Sequence, residues 1–406
     1  MNKQLVILLI GRITTNFADS FYMIATIWYV KTVTDSVFLI GLTSAIAMLP
    51  ITLQFLYGPI IDRFSKRKIL FFAEIGQGLF ICVISILYFT NALWLPLMLL
   101  LMFLALAFSE ATYPTESALI EGLSARENLT KVNSVFAFSY QTLDIISDAI
   151  SGILIAFLGL GFIYASNSIL LIGTGLLFFF YLKVPKSKKE EQPSSRSFIA
   201  QYKTDFIDGF KVVRRQKTLL TILVGVIGIN VMATMGIAML PVISASSASY
   251  GFWLTAMSVG TIVGTLIANR LDSIPLNKVM PITSVISGVC WIVSMNTLEL
   301  FIVPYIFFGA AWIGVGILSI YIHTLIQVNL PKEYLGIGFA FLSSLLGSLS
   351  PLGYFLGGIL GELSSALLVL LLSGAGYIAF SIYFVLHPTL NKLNNRLNVS
   401  FSEDIQ

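Results

Sequence analysis

Residues 58–70 read Gly58-Pro-Ile-Ile-Asp-Arg-Phe-Ser-Lys-Arg-Lys-Ile-Leu70, and this short basic segment separates two long apolar runs. The runs at 37–61 and 69–90 are each long enough to cross a bilayer, since a membrane helix needs about 20 mostly apolar residues. Four Lys and Arg residues lie between them, and basic loops stay on the cytoplasmic side of a membrane. The segment therefore predicts a membrane protein in which the second and third spans meet on the cytoplasmic side.

The composition of the whole chain supports this interpretation. Of 406 residues, 57% are hydrophobic and only 11% are charged, whereas a soluble domain carries roughly 25% charged residues. These values argue against a soluble enzyme, a disordered chain and a nucleic-acid-binding protein. The apolar runs are continuous rather than alternating, which argues against an outer-membrane barrel.

The apolar runs predict twelve membrane-spanning helices, with both termini on the same side of the membrane. The predicted spans are 4–30, 37–61, 69–90, 94–118, 132–157, 160–182, 218–245, 249–271, 279–297, 299–326, 335–361 and 364–386. Of the 24 Lys and Arg residues, 22 fall on the side that holds the 62–68 loop and the termini. Because positive charge stays inside, we expect a multi-pass protein of the cell membrane with cytoplasmic termini.

The chain divides into two related halves. An offset of 206 residues aligns 118–129 with 324–335, Gly58 with Gly264, and 151–154 with 357–360. A parallel repeat of six spans is the architecture of transporters that rock two bundles around a central site. The sequence therefore predicts an all-α membrane fold of two six-helix bundles. The predicted domains are an N-terminal bundle at 1–182, a cytoplasmic linker at 183–217, a C-terminal bundle at 218–390 and a cytoplasmic tail at 391–406.

The linker has an amphipathic pattern over Ser197–Arg215. Aromatic residues recur every four positions on one face, at Phe198, Tyr202, Phe206 and Phe210. This spacing favours either a helix on the inner membrane surface or an ordered linker helix in the cytoplasm.

The basic loop resembles the signature of the major facilitator superfamily, Gly-x-x-x-Asp-Arg-x-Gly-Arg-Lys, between the second and third helices. Matching positions are Gly58, Asp62, Arg63 and Arg67. Lys66 replaces an arginine and Ser65 replaces a glycine. The resemblance covers essentially the whole chain and implies a secondary transporter that works by alternating access.

Within the superfamily, the chain is similar to the macrolide-efflux and siderophore-exporter branch of drug:proton antiporters. The similarity lies in Gly11-Arg12…Asp19 with Trp28, in the stretch Pro114–Ser134, and in Leu352-Gly-Tyr-Phe-Leu-Gly-Gly. One departure is the fifth span, where antiporters commonly carry a Gly-Pro-rich motif. Here the region 143–152 contains two acids and little glycine.

Acidic residues inside the spans are the strongest functional signal, because a charge at a helix centre costs roughly 2.5–3.5 kcal/mol on insertion scales. Six lie in the N-terminal half: Asp19, Glu74, Glu110, Glu116, Asp144 and Asp148. The C-terminal half has none in mid-span. Asp19 is the first candidate for proton coupling, since it lies near the middle of the first span. Glu74 and Glu116 are close to a cytoplasmic end and are expected to reach water.

Three further acids are candidates for proton coupling. Asp144 and Asp148 share one face of the fifth span, and two like charges one turn apart disfavour double ionisation. A carboxyl that holds its proton suits proton binding and release; either acid could instead pair with Arg12. Glu110 lies four residues before Pro114, which removes a helical hydrogen bond and can kink the fourth span.

The predicted substrate cavity contains Arg12, Asn16, Tyr140 and Trp312. Arg12 and Asn16 share a polar stripe with Asp19. Because Arg12 and Asp19 are about 10 Å apart along the helix, each should have its own partner or face a wet cavity. The tryptophans Trp28, Trp94, Trp253, Trp291 and Trp312 are expected to anchor at the interface or face lipid for the most part. His323 is expected to be structural.

The resemblance also implies a conformational latch at the basic loop, formed by Gly58, Asp62, Arg63, Arg67 and Glu121. Asp62 would accept hydrogen bonds from the N-terminus of the eleventh helix, near Leu335, whose dipole favours an anion. Arg63 or Arg67 would pair with Glu121 at the end of the fourth span. Such contacts would stabilise the outward-open state.

The favoured function is a proton-coupled exporter of amphipathic small molecules such as macrolide-like drugs, with no cofactor, no metal and no enzymatic activity. Its partners would be a small-molecule substrate, protons and the lipid bilayer. It would not bind nucleic acid and would be a monomer. The alternatives are a dedicated siderophore or peptide exporter, an uncoupled facilitator or importer, and a membrane receptor or scaffold that does not transport. A membrane enzyme is disfavoured because no His-Asp pair or metal cluster is evident, and ATP-driven transport because no phosphate-binding loop is present.

Overall fold

Helices form the regular structure of this protein. The computed structural model describes residues 2–57, 61, 64–124, 129–184, 217–271, 274–329 and 335–393. Thirteen α-helices occur in these ranges: α1 Lys3–Val33, α2 Val37–Met48, α3 Lys66–Phe89, α4 Leu95–Ser109, α5 Thr112–Leu123, α6 Leu129–Leu158, α7 Leu160–Tyr181, α8 Lys217–Ile243, α9 Ser247–Ala268, α10 Leu276–Asn296, α11 Val303–Asn329, α12 Leu335–Leu363 and α13 Ala366–Leu386. Short 3-10 segments follow α2 at Leu49–Tyr57, α9 at Asn269–Leu271 and α13 at Leu390–Lys392.

The all-helical membrane fold predicted from the sequence is confirmed. Each of the twelve predicted spans contains at least one of these helices. Within the described residues, eight stretches are long and apolar enough to cross a bilayer. The α2 helix is a shorter apolar helix, and its span continues as the 3-10 segment through Pro50.

Three helices begin at polar side chains that cap them. Asn2 accepts a hydrogen bond from the backbone of Gln4 at the start of α1 (3.4 Å), and Ser36 accepts one from Leu39 at the start of α2 (3.3 Å). Ser365 does the same for Leu368 in α13 (3.2 Å). Such caps satisfy amide groups that have no partner inside the helix, and this fixes where each helix starts.

The fourth span is interrupted in its middle, as Pro114 predicts. The α4 helix ends at Ser109, α5 begins at Thr112, and Glu110 and Ala111 form the turn between them. Pro114 has no amide hydrogen to donate to the carbonyl of residue 110, so the helical ladder cannot run through this point. The break places Glu110 at the end of a helix instead of within one.

The chain forms two compact units. Among the described residues, the first contains 2–184 and 244–255, and the second contains 217–243 and 256–393. The predicted linker 183–217 lies almost entirely outside the described residues, so the domain boundaries stay a prediction. Residues 244–255 join the first unit, where Ser247 Oγ donates a hydrogen bond to the carbonyl of Gly152 (3.0 Å).

The same helix pairs recur within each unit. In the first, α1 packs on α6 and α7, and α3 packs on α4 and α7. In the second, α8 packs on α12 and α13, and α10 packs on α11 and α13. These pairs occupy corresponding positions in the two halves, so each unit has the packing that the sequence repeat predicts.

Glycines allow a close helix contact in the second unit, between α9 and α11. A Cβ atom at Gly264 would collide with the carbonyl oxygen of Ile313, and one at Gly260 with that of Gly309. Backbone carbonyls cannot move aside as side chains do. Small residues thus let two membrane helices approach closely, which is how such helices associate without a hydrophobic driving force.

We expect Gly264→Ala to destabilise the second unit by about 1–3 kcal/mol, the cost of overpacking a well-packed site. The matched control is Gly228→Ala in α8, where a Cβ would meet no atom within 4 Å. Thermal denaturation of the purified variants in detergent measures both. Equal stability of the two variants would contradict the close approach of α9 and α11.

Candidate functional site

A stripe of polar residues runs along one face of α1. Its members are spaced three or four apart: Arg12, Thr15, Asp19, Tyr22 and Thr26. The stripe spans about 21 Å at 1.5 Å per residue, against about 30 Å for the hydrocarbon core of a bilayer. Side chains from α3, α4, α5 and α7 meet it within the first unit.

One end of the stripe is a buried ion pair. Arg12 Nη1 lies 3.4 Å from Glu116 Oε2 of α5, and both side chains are almost completely buried. The guanidinium carbon also lies 5.4 Å from the centre of the Tyr113 ring, within range of a cation–π interaction. The expectation that Glu116 reaches water is therefore wrong, because α5 turns its carboxyl toward α1.

Glu74 is a second buried acid beside this pair. Its residue exposure is 0%, and Oε1 accepts a hydrogen bond from Thr15 Oγ1 (2.9 Å). Its other oxygen, Oε2, is buried and has no hydrogen-bond partner. The expectation that Glu74 reaches water is also wrong, because α3 packs against α7 and turns this carboxyl into the bundle.

Asp19 is held by two neutral donors. Gln77 Nε2 of α3 donates to Oδ1, and Ser109 Oγ at the end of α4 donates to Oδ2 (2.9 Å). The residue is half-buried, unlike Glu74. The prediction that Arg12 and Asp19 have separate partners is confirmed. Asp19 is thus a mid-span carboxyl that accepts hydrogen bonds from two neutral donors and is partly exposed.

Glu110 lies next to Ser109 at the break in the fourth span and is half-buried. Three residues earlier, the carbonyl of Ala107 near the end of α4 accepts a hydrogen bond from the hydroxyl of Tyr57. Glu110 is within electrostatic range of Asp19 and Arg12. In the described part of the first unit, four carboxyls therefore surround one arginine, Arg12. These carboxyls, which with Arg12 form the network referred to below, belong to Asp19, Glu74, Glu110 and Glu116.

The stripe continues toward the opposite membrane face. Tyr164 of α7 donates a hydrogen bond to the hydroxyl of Thr26 (3.4 Å), and one turn later the buried Asn167 has no partner for either side-chain amide atom. Ser168 donates to the carbonyl of Gly78 in α3 (2.9 Å). Polar groups thus line the contact of α1, α3 and α7 beyond the acids.

The second unit contains a cluster of aromatic rings. Trp291 of α10 is completely buried, with ring centres 4.8 Å from Phe308, 6.0 Å from Tyr377 and 6.1 Å from Trp312. The indole nitrogens of Trp291 and Trp312 have no hydrogen-bond partner. The expectation of an interface or lipid position is wrong for Trp291 and Trp253, which are buried, whereas Trp94 is 68% exposed.

Several predicted site residues lie outside the described residues, wholly or in their side chains. Gly58, Asp62 and Arg63 are not described, and neither are the side chains of Tyr140, Asp144, Asp148, Glu121 and His323 or the amphipathic segment 197–215. Asn16 is buried on α1. Arg67, at the start of α3, lies with its guanidinium carbon 5.6 Å from the centre of the Phe179 ring. The roles predicted for all these residues stay predictions.

The described residues contain no group of three or more His, Cys, Asp and Glu side chains placed to hold a metal ion. The two cysteines, Cys82 and Cys290, are both free and half-buried.

Sequence reasoning found Asp19 but not the residues that hold it. Gln77 and Ser109 are uncharged, and their donor role depends on how α3 and α4 pack against α1. A signal was present in α3, where Glu74 and Gln77 are three residues apart and therefore share a face. That face meets Thr15 and Asp19, which share a face of α1.

Comparisons with known proteins agree with this architecture. The family model described as Major Facilitator Superfamily matches residues 8–245. The chain is 23% identical to an uncharacterized MFS-type transporter of Bacillus subtilis (strain 168), YfiS, over 78% of this chain and 76% of that protein.

Solved structures with the same fold include several transporters. A bacterial homolog of the human lysosomal transporter Spinster, inward-facing and unoccupied, has a TM-score of 0.68 at 12% identity, covering 95% of this chain and 98% of its own. The nucleoside transporter NupG has a TM-score of 0.68 at 14% identity, covering 94% and 98%. A D-xylose–proton symporter has a TM-score of 0.63 at 14% identity, covering 97% and 98%. At these identities the likeness shows the fold.

Proposed function

This chain belongs to the Major Facilitator Superfamily and is a multi-pass membrane transporter, and we propose that it is a proton-coupled exporter of amphipathic small molecules. The observation that carries the proposal is Asp19, a mid-span carboxyl held by Gln77 and Ser109. A carboxyl at this depth is costly unless it is protonated, paired or hydrated. Proton coupling gives such a residue a function.

Protonation of Asp19 would change how α1, α3 and α4 hold one another. The carboxylate accepts hydrogen bonds on both oxygens, from Gln77 and Ser109. When Asp19 is protonated, one of its two oxygens becomes a hydroxyl that donates a hydrogen bond. The protonated side chain therefore cannot accept equally well from Gln77 and from Ser109. The two protonation states therefore favour different arrangements of the first unit, and this difference is what couples a proton to alternating access.

The proposed energy source is the proton gradient together with the membrane potential. A potential contributes about 2.3 kcal/mol per charge for each 100 mV, which supports a large concentration gradient of substrate. Asp144, Asp148 and Glu110 are proposed as further groups in the same coupling. Like-charged neighbours titrate as a coupled set, so their contributions have to be separated by combined substitutions.

For the substrate, we propose a largely apolar molecule with a few polar groups, such as a macrolide-like drug. Trp312, the half-buried member of the aromatic cluster, supports this, because its ring offers apolar area and its indole N–H offers a donor. Arg12, Asn16 and Tyr140 are proposed as polar residues of the cavity. A dedicated siderophore or peptide exporter would use the same coupling residues with a different cavity lining.

We expect inside-out vesicles that contain the protein to accumulate a lipophilic cationic dye, ethidium, when they are energised to be acidic inside. Accumulation should stop when a protonophore removes the gradient, since the proton is the proposed driving ion. Fluorescence of the dye measures uptake, and vesicles without the protein are the control. Uptake that equilibrates without accumulation would favour an uncoupled facilitator. A panel of macrolides and siderophores, tested as competitors, would then rank the substrates.

The basic loop completes the proposal. Gly58, Asp62, Arg63, Arg67 and Glu121 are proposed as the latch that stabilises the outward-open state. Cytoplasmic termini, the cell membrane as location and a monomeric state are parts of the same proposal, because they follow from the distribution of Lys and Arg and from the family resemblance.

A further inference from the structure

Glu74 is an acid that the proposed coupling at Asp19 does not use, although it is the most deeply buried of the network. Its exposure is 0%. The α7 helix covers it closely, since a Cβ atom at Gly175 would lie 3.3 Å from the Cβ of Glu74. Water therefore has little room on the α7 side of this carboxyl.

The surroundings of Glu74 do not balance a negative charge. The charged and ionisable groups that act on it are Asp19, Glu116 and Arg12. Two of these are acids, and the guanidinium of Arg12 lies 3.4 Å from Glu116. The single hydrogen bond that Glu74 receives comes from a neutral hydroxyl, that of Thr15. A buried carboxylate with so little compensation is costly, and such a group usually takes up a proton instead.

The protonated, neutral form of Glu74 fits the same hydrogen-bond geometry. The 2.9 Å distance between Glu74 Oε1 and Thr15 Oγ1 equally accommodates a carboxyl O–H that donates to the threonine hydroxyl, because that oxygen can donate or accept. Oε2 is then a neutral carbonyl oxygen. Leaving a neutral acceptor unpaired costs about 1–3 kcal/mol, far less than burying an uncompensated charge.

We propose that Glu74 is a second proton-binding site, in which a buried carboxyl bonded to Thr15 stores a proton that it exchanges with Asp19. The inference rests on the proposed proton-coupled function. Thr15 and Asp19 are four residues apart on α1, and Glu74 and Gln77 are three residues apart on α3, so the two sites are roughly 4.5–6 Å apart along the helices. In the exchange, the O–H bond of Glu74 breaks and its carboxylate keeps the electron pair, while a new O–H bond forms on the Asp19 carboxylate. The negative charge moves from Asp19 to Glu74 in this step, so the net charge of the network is unchanged.

Infrared spectroscopy of the purified full-length protein tests the site with the proton itself as the ligand. We expect a C=O band of a protonated carboxyl at neutral pH, which moves when glutamate carboxyls are labelled with carbon-13 and does not move when aspartate is labelled. Glu74→Gln should remove this band, because glutamine is similar in size and cannot hold the proton. Thr15→Val should shift its frequency, since the hydrogen-bond partner is lost.

Two matched controls make the assignment specific. Glu116→Gln should leave the band in place, since Glu116 is the ion-paired carboxyl, and Glu110→Gln should leave it because Glu110 is half-buried. A band that survives in Glu74→Gln, or that disappears in either control, would overturn the assignment. So would its absence from the wild-type protein.

Transport connects the site to coupling. In inside-out vesicles, Glu74→Gln should lose proton-driven accumulation of ethidium while downhill movement of the dye continues. If the wild-type protein accumulates the dye and Glu74→Gln does so equally, the inference fails and the proposed function stands. If the wild-type protein shows no dependence on the gradient, the proposed function fails, and the infrared band reports separately whether Glu74 holds a proton.

Discussion

Asp19→Asn is expected to abolish accumulation of substrate against a gradient while downhill exchange continues. Asparagine matches aspartate in size but cannot gain or lose a proton. The fold should tolerate the change, because Gln77 Oε1 has no partner and can accept a hydrogen bond from the new amide once the Gln77 side chain rotates. The measurement is the steady-state ratio of ethidium inside and outside energised vesicles, at matched expression.

A suitable control for this experiment is Asp35→Asn. Asp35 lies in the exposed connection between α1 and α2. Its substitution removes the same charge from the same half of the chain and leaves the network unchanged. Its vesicles should accumulate the dye as the wild type does. If Asp19→Asn also accumulates the dye normally, coupling does not depend on the first-span carboxyl, and the proposal for Asp19 is wrong.

Arg12→Leu is expected to destabilise the protein by about 3 kcal/mol or more, because removing one partner of a buried ion pair leaves the other charge without compensation. The variant also loses the contact of the guanidinium with the Tyr113 ring. Unfolding by sodium dodecyl sulfate in mixed micelles measures the loss in free energy. It is the largest stability effect that we expect from a single substitution in the first unit.

The double variant Arg12→Leu with Glu116→Leu separates pairing from packing. When both charges are replaced by apolar side chains, no uncompensated group remains, and buried pairs replaced in this way are often as stable as the original. We therefore expect the double variant to recover most of the loss. Additive destabilisation would mean that Arg12 and Glu116 do not depend on each other, contrary to the 3.4 Å contact.

The sequence predicts the fold well because each span is a local property. Twenty apolar residues in a row, a basic loop and the internal repeat require no knowledge of packing, and the α4–α5 break follows from Pro114 alone. Asp19 is also predictable, since an acid in mid-span is rare whatever surrounds it.

The partners of the acids were less predictable. Glu74 and Glu116 lie near helix ends along the sequence, but their burial depends on which way α3 and α5 face. A position along the membrane normal does not give the direction of a side chain around a helix. The sequence does not place Trp291 correctly either. Interfacial preference describes tryptophans on average, whereas this one packs against Phe308 and Tyr377 inside the second unit.

The two units share a packing plan but differ in chemistry, and this has a consequence for how such proteins diversify. Four interior carboxyls lie in the first unit, and the aromatic cluster lies in the second. Because both units have the same helix pairs, interior side chains of one unit can change without disturbing the packing of the other. Mutations in α10 and α11 can therefore alter the aromatic cluster while the ionisable network of the first unit stays unchanged.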